Sequence, residues 1–74
     1  MKASSLKPGK PARILKIIVD GKFSRRLTEL GFVPGTIISV IGTTVFGDPI
    51  SIKIDDVTMA MRKKAADLIE VEYV

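Results

Sequence analysis

Residues 25–35 read RRLTELGFVPG, and this stretch decides how the chain on either side of it folds. Phe23, Leu27 and Leu30 recur at i, i+4 and i+7, the spacing that places three apolar side chains on one face of a helix of about two turns. Either of two polar residues is placed to cap the start of this helix, Ser24 or Asp20. The pattern therefore predicts a short amphipathic helix.

The predicted helix has a strong stop signal at its carboxyl end. Gly31 stands where a helix needs a residue that tolerates positive φ, and Phe32 follows at the position that commonly packs back on Leu27. Pro34 and Gly35 then fill the second and third positions of a type II turn, and the chain continues directly into an apolar, β-branched run. The residues interpreted as structural in this region are Leu27, Leu30, Gly31, Phe32, Pro34 and Gly35.

Length and composition limit the functions open to the chain. Its 74 residues predict one small domain over residues 1–74, with residues 1–5 as a flexible terminus. The absence of Cys and His excludes disulfides, thiolate metal sites and a histidine general base. A net charge of +4 suits an anionic partner and is equally ordinary for a small soluble domain. Without a membrane span or a signal-like start, we expect a cytoplasmic protein with no membrane insertion.

Five strands linked by tight turns are expected. The clearest is the run from Ile50 to Ile54, in which every second residue is Ile, the period of a half-buried strand. Gly47-Asp48 is predicted as a two-residue hairpin loop before this strand, and Asp55-Asp56 as a tight turn after it. The predicted strands cover residues 12–19, 36–45 with a bulge or bend at Gly42, 50–54, 57–61 and 68–74, and residues 62–67 form one helical turn.

These connections are too short for a parallel sheet, which needs a crossover of about a dozen or more residues between strands. They favour a small, strongly bent antiparallel barrel that removes most of its open edges. The predicted fold is therefore mainly β: a small SH3-like antiparallel barrel of about five strands, with one short α-helix and a short helical turn before the last strand.

Several motifs recur in an order that is specific as a set, although each is weak alone. They are Arg26-Leu27-x-Glu29-Leu30-Gly31-x-x-Pro34-Gly35, Gly47-Asp48-Pro49, and Ala60-Met61-Arg62-Lys63 followed by Ala65 and Ile69. With Leu6, Gly9, Ala12 and Ile14, they make the chain resemble the ferrous iron transport protein A family, FeoA, from Leu6 to Val71. Two departures are modest, since Met61 stands where Leu is usual and Asp55-Asp56 replaces a more glycine-rich turn.

The resemblance implies a small cytosolic accessory protein of bacterial ferrous iron uptake. A FeoA-type protein acts with FeoB, a membrane transporter that carries a cytosolic GTP-binding domain, so a FeoB-type transporter is the expected partner. Catalysis is not implied, and no catalytic residue, cofactor or metal ligand is expected. Related barrels occur as regulatory domains of iron-dependent repressors, which keeps a repressor-type regulatory domain as an alternative.

The hypothesis for partner binding centres on the predicted hairpin tip. An aromatic side chain at such a tip is difficult to bury in the same small barrel, and an exposed apolar tip is a common docking site. The alternative is that this ring folds back over the barrel mouth. The candidate partner-binding residues are Phe46, Gly47, Asp48, Arg62, Lys63 and Arg26, although for the three cations simple solvation is the competing interpretation.

Two other functions are weighed against partner binding. Asp48, Asp55 and Asp56 are the acidic residues at turns, but neighbouring carboxylates point apart, so a tight ferrous site in one chain is not expected. A basic nucleic-acid-binding barrel is the second alternative. Of four aromatic residues, Phe23 and Phe32 are assigned to the helix and its stop, which leaves too few for a stacking platform, and no nucleic acid is expected. Exposed strand edges make weak self-association plausible.

Overall fold

A computed structural model describes residues 1–18 and 21–74, and the main secondary structure is one sheet of five antiparallel strands. The strands are β1 (Ala12–Ile17), β2 (Ile37–Thr43), β3 (Ile50–Ile54), β4 (Val57–Met61) and β5 (Ile69–Tyr73). The helices are α1 (Lys22–Glu29) and α2 (Lys63–Ala66), and a 3₁₀ turn covers Ala3–Ser5. The predicted order of strands and helices is thus confirmed, although several strands are shorter than expected.

The strands lie in the order β4-β3-β2-β1-β5, so β4 and β5 form the two outer edges of the sheet. The expectation of a closed barrel is wrong in this respect, because no ladder joins β4 to β5 in the described part of the chain. The outer edge of β5 is instead occupied by the start of the chain. The amide of Val71 donates a 2.8 Å hydrogen bond to the carbonyl of Met1, and Lys2 forms an isolated bridge with Glu70.

The same contacts attach residues 1–5, which the sequence predicted as a flexible terminus, to β5 in this structure. Ala3 is fully buried in the core, and the hydroxyl of Ser4 donates to the carboxylate of Asp67. The sequence has no apolar run here that would predict this packing. Its only indication was the small side chain of Ala3, in the 3₁₀ turn that contacts β5 and α2. Residues 1–5 therefore complete the sheet edge that a barrel would have closed with β4.

The core lies on one face of the sheet and follows the predicted alternation. Ile50, Ile52 and Ile54 are each at most 3% exposed, and Phe32 is fully buried in the same cluster. At Gly42 the register between β2 and β3 shifts, as expected for a bulge. The other core residues come from the N-terminal segment, the four remaining strands and both helices: Ala3, Leu6, Ala12, Ile14, Leu27, Ile38, Val40, Met61, Ala65, Ala66, Ile69 and Val71.

The start of α1 differs from the expectation. Gly21 is the N-cap residue and makes no side-chain cap, while Ser24 lies inside the first turn, where its hydroxyl donates a 3.0 Å hydrogen bond to the carbonyl of Gly21. The other proposed cap, Asp20, lies outside the described residues, as does the predicted strand end at Val19.

The end of α1 forms the predicted stop. The amide of Phe32 donates to the carbonyl of Leu27 at 3.0 Å and that of Gly31 to Thr28 at 3.0 Å, the pair of bonds that defines a Schellman motif. Gly31 has φ +102°, a conformation open to glycine at little cost. The turn that follows also forms as predicted, because Gly35 has positive φ and Thr36 donates to Val33 at 3.1 Å.

Candidate partner-binding surface

The connection between β2 and β3 is a six-residue loop, and the expectation of a two-residue Gly47-Asp48 hairpin is wrong. The amide of Gly47 donates to the carbonyl of Thr44 at 2.9 Å, which closes a turn with Val45 and Phe46 at its centre. The Thr44 hydroxyl donates to the carbonyl of Asp48 at 2.8 Å and accepts from the Asp48 amide at 3.2 Å. One threonine side chain thus braces the base of the loop, which explains why the turn sits earlier than expected.

We call Val45, Phe46 and Gly47 the tip. Val45 is 96% exposed and Phe46 93% exposed, so the aromatic ring does not fold back over the sheet. Sequence reasoning identified Phe46 but missed Val45, although an apolar neighbour beside Phe46 was visible in the sequence. Two adjacent apolar side chains at the end of a braced loop form a protruding apolar patch. Its exposure to water is unfavourable, and such patches often mark interaction sites.

The candidate charged residues lie at the base of the tip. The carboxylate of Asp48 accepts a 3.0 Å hydrogen bond from the backbone amide of Lys63, and its second oxygen is 3.8 Å from a guanidinium nitrogen of Arg62. Asp48 therefore joins the loop to the start of α2 and brings three of the predicted site residues together. The Arg62 side chain is 72% exposed despite this ion pair, which leaves most of its guanidinium open to a further partner.

Arg26 lies on the rim of an apolar groove between α1 and β4, with Arg62 also on that rim. We call this feature the α1–β4 groove; its volume is about 170 Å³. Its apolar lining consists mainly of Phe23, Leu27, Leu30, Met59, Met61 and Ala65. Because Arg62 borders both the groove and the base of the tip, the groove and the tip belong to one continuous surface.

The groove exists because the predicted apolar face of α1 is only partly covered. Leu27 is 3% exposed, whereas Phe23 is 51% and Leu30 48% exposed. Only the middle residue of this apolar face is buried, and the outer two line the groove half exposed. Phe23 lies on the predicted apolar face of α1 but stays half exposed, and sequence reasoning missed the groove. The available signal was that β4 also carries large apolar residues, Met59 and Met61, next to the helix stripe.

Two further depressions are more open and more polar. One of about 490 Å³ lies over the start of β2 and the end of β3, where Lys53 and Asp55 border it. Another, of about 370 Å³, lies between β1 and α1 beside Ser24 and Arg25. Neither gathers large exposed apolar side chains in the way that the α1–β4 groove does.

The turn carboxylates do not form a cluster. Across residues 1–18 and 21–74, no group of three or more His, Cys, Asp or Glu side chains is placed to hold a metal ion. Asp55 and Asp56 lie exposed in the β3–β4 turn, while the carboxylate of Asp48 accepts a hydrogen bond from the amide of Lys63, 15 residues later.

Of the aromatic side chains, Tyr73 is held by the N-terminal segment, because its hydroxyl accepts a 3.0 Å hydrogen bond from the Lys7 amide.

No helix in the described part of the chain is long and apolar enough to cross a membrane. A small antiparallel β domain with a protruding apolar tip and an apolar groove on its surface is typical of the class of interaction domains. The chain belongs to the FeoA family: the FeoA domain matches residues 1–73. The motif-based recognition is confirmed by this match.

Known relatives agree with this assignment. A fusion of Fe(2+) transport protein A with the Fe(2+) transporter FeoB from Porphyromonas gingivalis (strain ATCC BAA-308 / W83) is 35% identical over 74 residues. The match covers 100% of this chain and 9% of the fusion protein, so the chain spans less than a tenth of that relative.

Solved structures of the family share the fold. Iron(II) transport protein A from Clostridium thermocellum is 47% identical with a TM-score of 0.94, over 100% of this chain and 46% of that chain. FeoA of Stenotrophomonas maltophilia, complexed with zinc and described as a prokaryotic SH3 domain protein, is 26% identical with a TM-score of 0.88, over 97% of this chain and 89% of that chain. The SH3-like part of the prediction thus fits the family, while the sheet itself stays open.

Proposed function

We propose that this protein is a cytoplasmic accessory component of ferrous iron uptake that binds the cytosolic GTP-binding region of a FeoB-type transporter. The observation that carries the proposal is the Porphyromonas gingivalis relative, in which a FeoA segment and FeoB are parts of one polypeptide. Two domains that function together are often joined in this way, because the linkage raises their effective concentration for one another. The role proposed here is binding and not catalysis.

The proposed docking surface comprises the tip together with Asp48, Arg62 and Lys63. The tip offers an aromatic anchor that is 93% exposed, and interface energy concentrates in such anchors. Arg62 is mostly open to solvent and supplies positive charge at the rim, where charges mainly influence the rate at which the two proteins associate. Arg26 extends this positive rim to the far side of the α1–β4 groove.

The test is a calorimetric titration of the protein with the purified cytosolic domain of a FeoB-type transporter from the same organism. Phe46→Ser should weaken binding about tenfold or more, which corresponds to roughly 1.4 kcal/mol. The control is Val57→Ser, since Val57 is also an exposed apolar side chain, at 55%, but lies outside the tip and the groove. Unchanged affinity of a folded Phe46→Ser variant would show that the docking surface is elsewhere.

A further inference from the structure

The two outer edges of the sheet differ in how they are covered. The edge of β5 is occupied by the start of the chain, through the amide of Val71 and the bridge between Lys2 and Glu70. Within residues 1–18 and 21–74, no strand and no backbone hydrogen bond covers the outer edge of β4. The sequence of β4, VTMAM, also lacks the charges, Pro and bulges that usually protect an edge strand. β4 is therefore open to pairing with another strand.

The pairing of β4 with β3 shows which backbone groups of β4 face outward. Ile54 and Val57 lie opposite each other across the two-residue turn, so each donates a hydrogen bond to the other. Bonded and non-bonded pairs alternate from that point along an antiparallel ladder. Thr58 and Ala60 therefore direct their N–H and C=O groups away from β3, and both residues are exposed. These donors and acceptors are available to a new strand.

Opposite charges lie at the two ends of β4. Asp55 and Asp56 precede the strand, Arg62 and Lys63 follow it, and all four are exposed. An identical strand that runs antiparallel beside β4 brings its cations to the acidic end and its carboxylates to the basic end. Opposite charges on neighbouring strands stabilise their pairing, whereas like charges weaken it. A second copy of the same segment thus complements the charges of this edge.

One register satisfies both the charges and the hydrogen bonds. When Met59 lies opposite Met59 of the second copy, Asp56 lies opposite Arg62 and Thr58 lies opposite Ala60. Thr58 and Ala60 both have outward groups, so the pair exchanges two hydrogen bonds, and two-fold symmetry repeats the pair. A shift by one residue would oppose outward groups to groups already bonded to β3. A shift by two residues would keep the hydrogen bonds but separate Asp56 from Arg62.

We infer that two copies of this chain form a weak dimer by antiparallel pairing of their β4 strands about a two-fold axis at Met59. The half-buried Met59 side chains then lie side by side in a non-bonded pair, where side chains approach most closely. Because the β5 edge of each copy is already occupied, the joined sheet does not extend further. Two short strands bury less than the roughly 1,200 Å² of a stable complex, so the dimer should dissociate at about 0.1–1 mM.

The first experiment follows the wild-type protein by sedimentation equilibrium and by ¹H–¹⁵N NMR from about 50 μM to about 2 mM. Sedimentation should give a monomer–dimer equilibrium that stops at the dimer. The amide proton signals of Thr58 and Ala60 should move downfield with concentration, because these protons become hydrogen-bonded. Those of Met59 and Met61, which already bond to β3, should move less. A monomer throughout, assembly beyond the dimer, or a dimer in which the Thr58 and Ala60 signals stay fixed overturns the proposal.

Charge reversal tests the register. Asp56→Lys and Arg62→Glu each place like charges opposite one another in the dimer and should raise its dissociation constant several-fold. An equal mixture of the two variants restores both ion pairs in a mixed dimer, and the double variant Asp56→Lys/Arg62→Glu restores them in its own dimer. Net charge alone predicts a different pattern, since the first variant raises the positive charge and the second lowers it. Single variants without effect, or a double variant that does not recover, overturn the proposal.

A substitution that changes no charge tests the strand edge, because Arg62→Glu also alters the contact of Arg62 with Asp48 in its own chain. Ala60→Pro removes an outward N–H but no hydrogen bond to β3, so the variant should fold and stay monomeric. Ala60→Thr keeps the N–H and should dimerise as the wild type does. Dimerisation of a folded Ala60→Pro variant with unchanged affinity contradicts the pairing. These measurements use only copies of this chain, so their outcome is separate from that of the transporter titration.

Discussion

The carboxylate of Asp48 accepts a 3.0 Å hydrogen bond from the backbone amide of Lys63, across 15 residues of sequence. Lys63 is the first residue of α2, and the first amides of a helix have no partner inside it. The local N-cap residue, Arg62, makes no side-chain cap. A residue of the β2–β3 loop thus supplies the acceptor that the helix lacks, and the same bond fixes the base of the tip against α2.

Replacing Asp48 should therefore loosen α2 and the loop together. Loss of an N-terminal cap acceptor costs about 1 kcal/mol, so Asp48→Ala should lower the melting temperature by about 4–8 °C, measured by circular dichroism. Asp48→Asn keeps an acceptor oxygen and should lose less. The exposed turn residue Asp56 provides the control, and if Asp56→Ala lowers the melting temperature as much as Asp48→Ala does, the cap is not the cause.

Gly31 is the position where the backbone should tolerate substitution least. At φ +102° a β-branched side chain is strained, so Gly31→Val should cost about 1–3 kcal/mol in the free energy of unfolding, measured by urea denaturation. The cost is in the backbone, since an added Cβ would meet only the Ile54 side chain at an ordinary 3.6 Å. Gly42, which has open space around it and no positive φ, is the control, and Gly42→Ala should be nearly neutral.

Local signals in the sequence predicted the fold well wherever one residue type permits one conformation. The Gly31 stop, the Pro34-Gly35 turn and the alternating Ile residues of β3 all formed as predicted, because backbone sterics and burial on one face decide them locally. The features that sequence reasoning missed depend on contacts between residues distant in sequence. The hydrogen bond from the Lys63 amide to the Asp48 carboxylate and the packing of residues 1–5 on β5 join segments whose proximity no local pattern encodes.

The candidate surface, like the fold, could be predicted from local sequence only in part. Phe46 could be singled out because an aromatic residue beside Gly-Asp in a turn has little to pack against locally. The groove could not, since the stripe of Phe23, Leu27 and Leu30 is equally consistent with complete burial. Only the position of α1 relative to β4 reveals that its middle residue is covered and its outer two are not.

Acid should weaken the attachment of the N-terminal residues to β5. The carboxylate of Glu70 is 3.3 Å from the N-terminal ammonium group and 3.3 Å from Nζ of Lys2. The hydrogen bond from the N-terminal ammonium, followed by that from Lys2, lowers the pKa of Glu70 below its ordinary value of 4.5. Folding thus favours the charged form, so this contribution to stability is complete above pH 4.5 and is lost as the pH falls through the lowered pKa.

The measurement is the melting temperature as a function of pH from about 7 down to about 3. Glu70→Gln should reduce stability at neutral pH and flatten the decline below pH 4.5, whereas Glu29→Gln, at an exposed position of α1, should follow the wild-type curve. Parallel curves for wild type and Glu70→Gln would contradict this assignment.

Ferrous iron should find no tight site on a single copy of this chain. The sequence offers neither thiolate nor imidazole, and hard cations need several oxygen ligands that converge on one point. Titration calorimetry with Fe²⁺ in the absence of oxygen should therefore give no stoichiometric site with micromolar affinity. If such a site is found, Asp55→Ala and Asp56→Ala show whether the β3–β4 turn provides the ligands.

The last prediction concerns the rate at which the proposed transporter partner associates. Arg62 and Lys63 lie beside the tip, and the Arg62 side chain is 72% exposed. Charges at an interface rim act mainly on the encounter, so Arg62→Glu with Lys63→Glu should slow association several-fold and change its salt dependence, while the dissociation rate constant changes less. Surface plasmon resonance at low and high salt separates the two rate constants.

The control pair is Lys16→Glu with Lys53→Glu, which changes the net charge equally at two exposed positions on β1 and β3. Screening in salt limits exposed charges to a range of about 10 Å, so a local rim effect should spare this pair. Equal slowing by both pairs would mean that net charge alone steers association. In that case the positive rim formed by Arg62 and Lys63 has no particular part in docking, and the aromatic tip would have to bind without it.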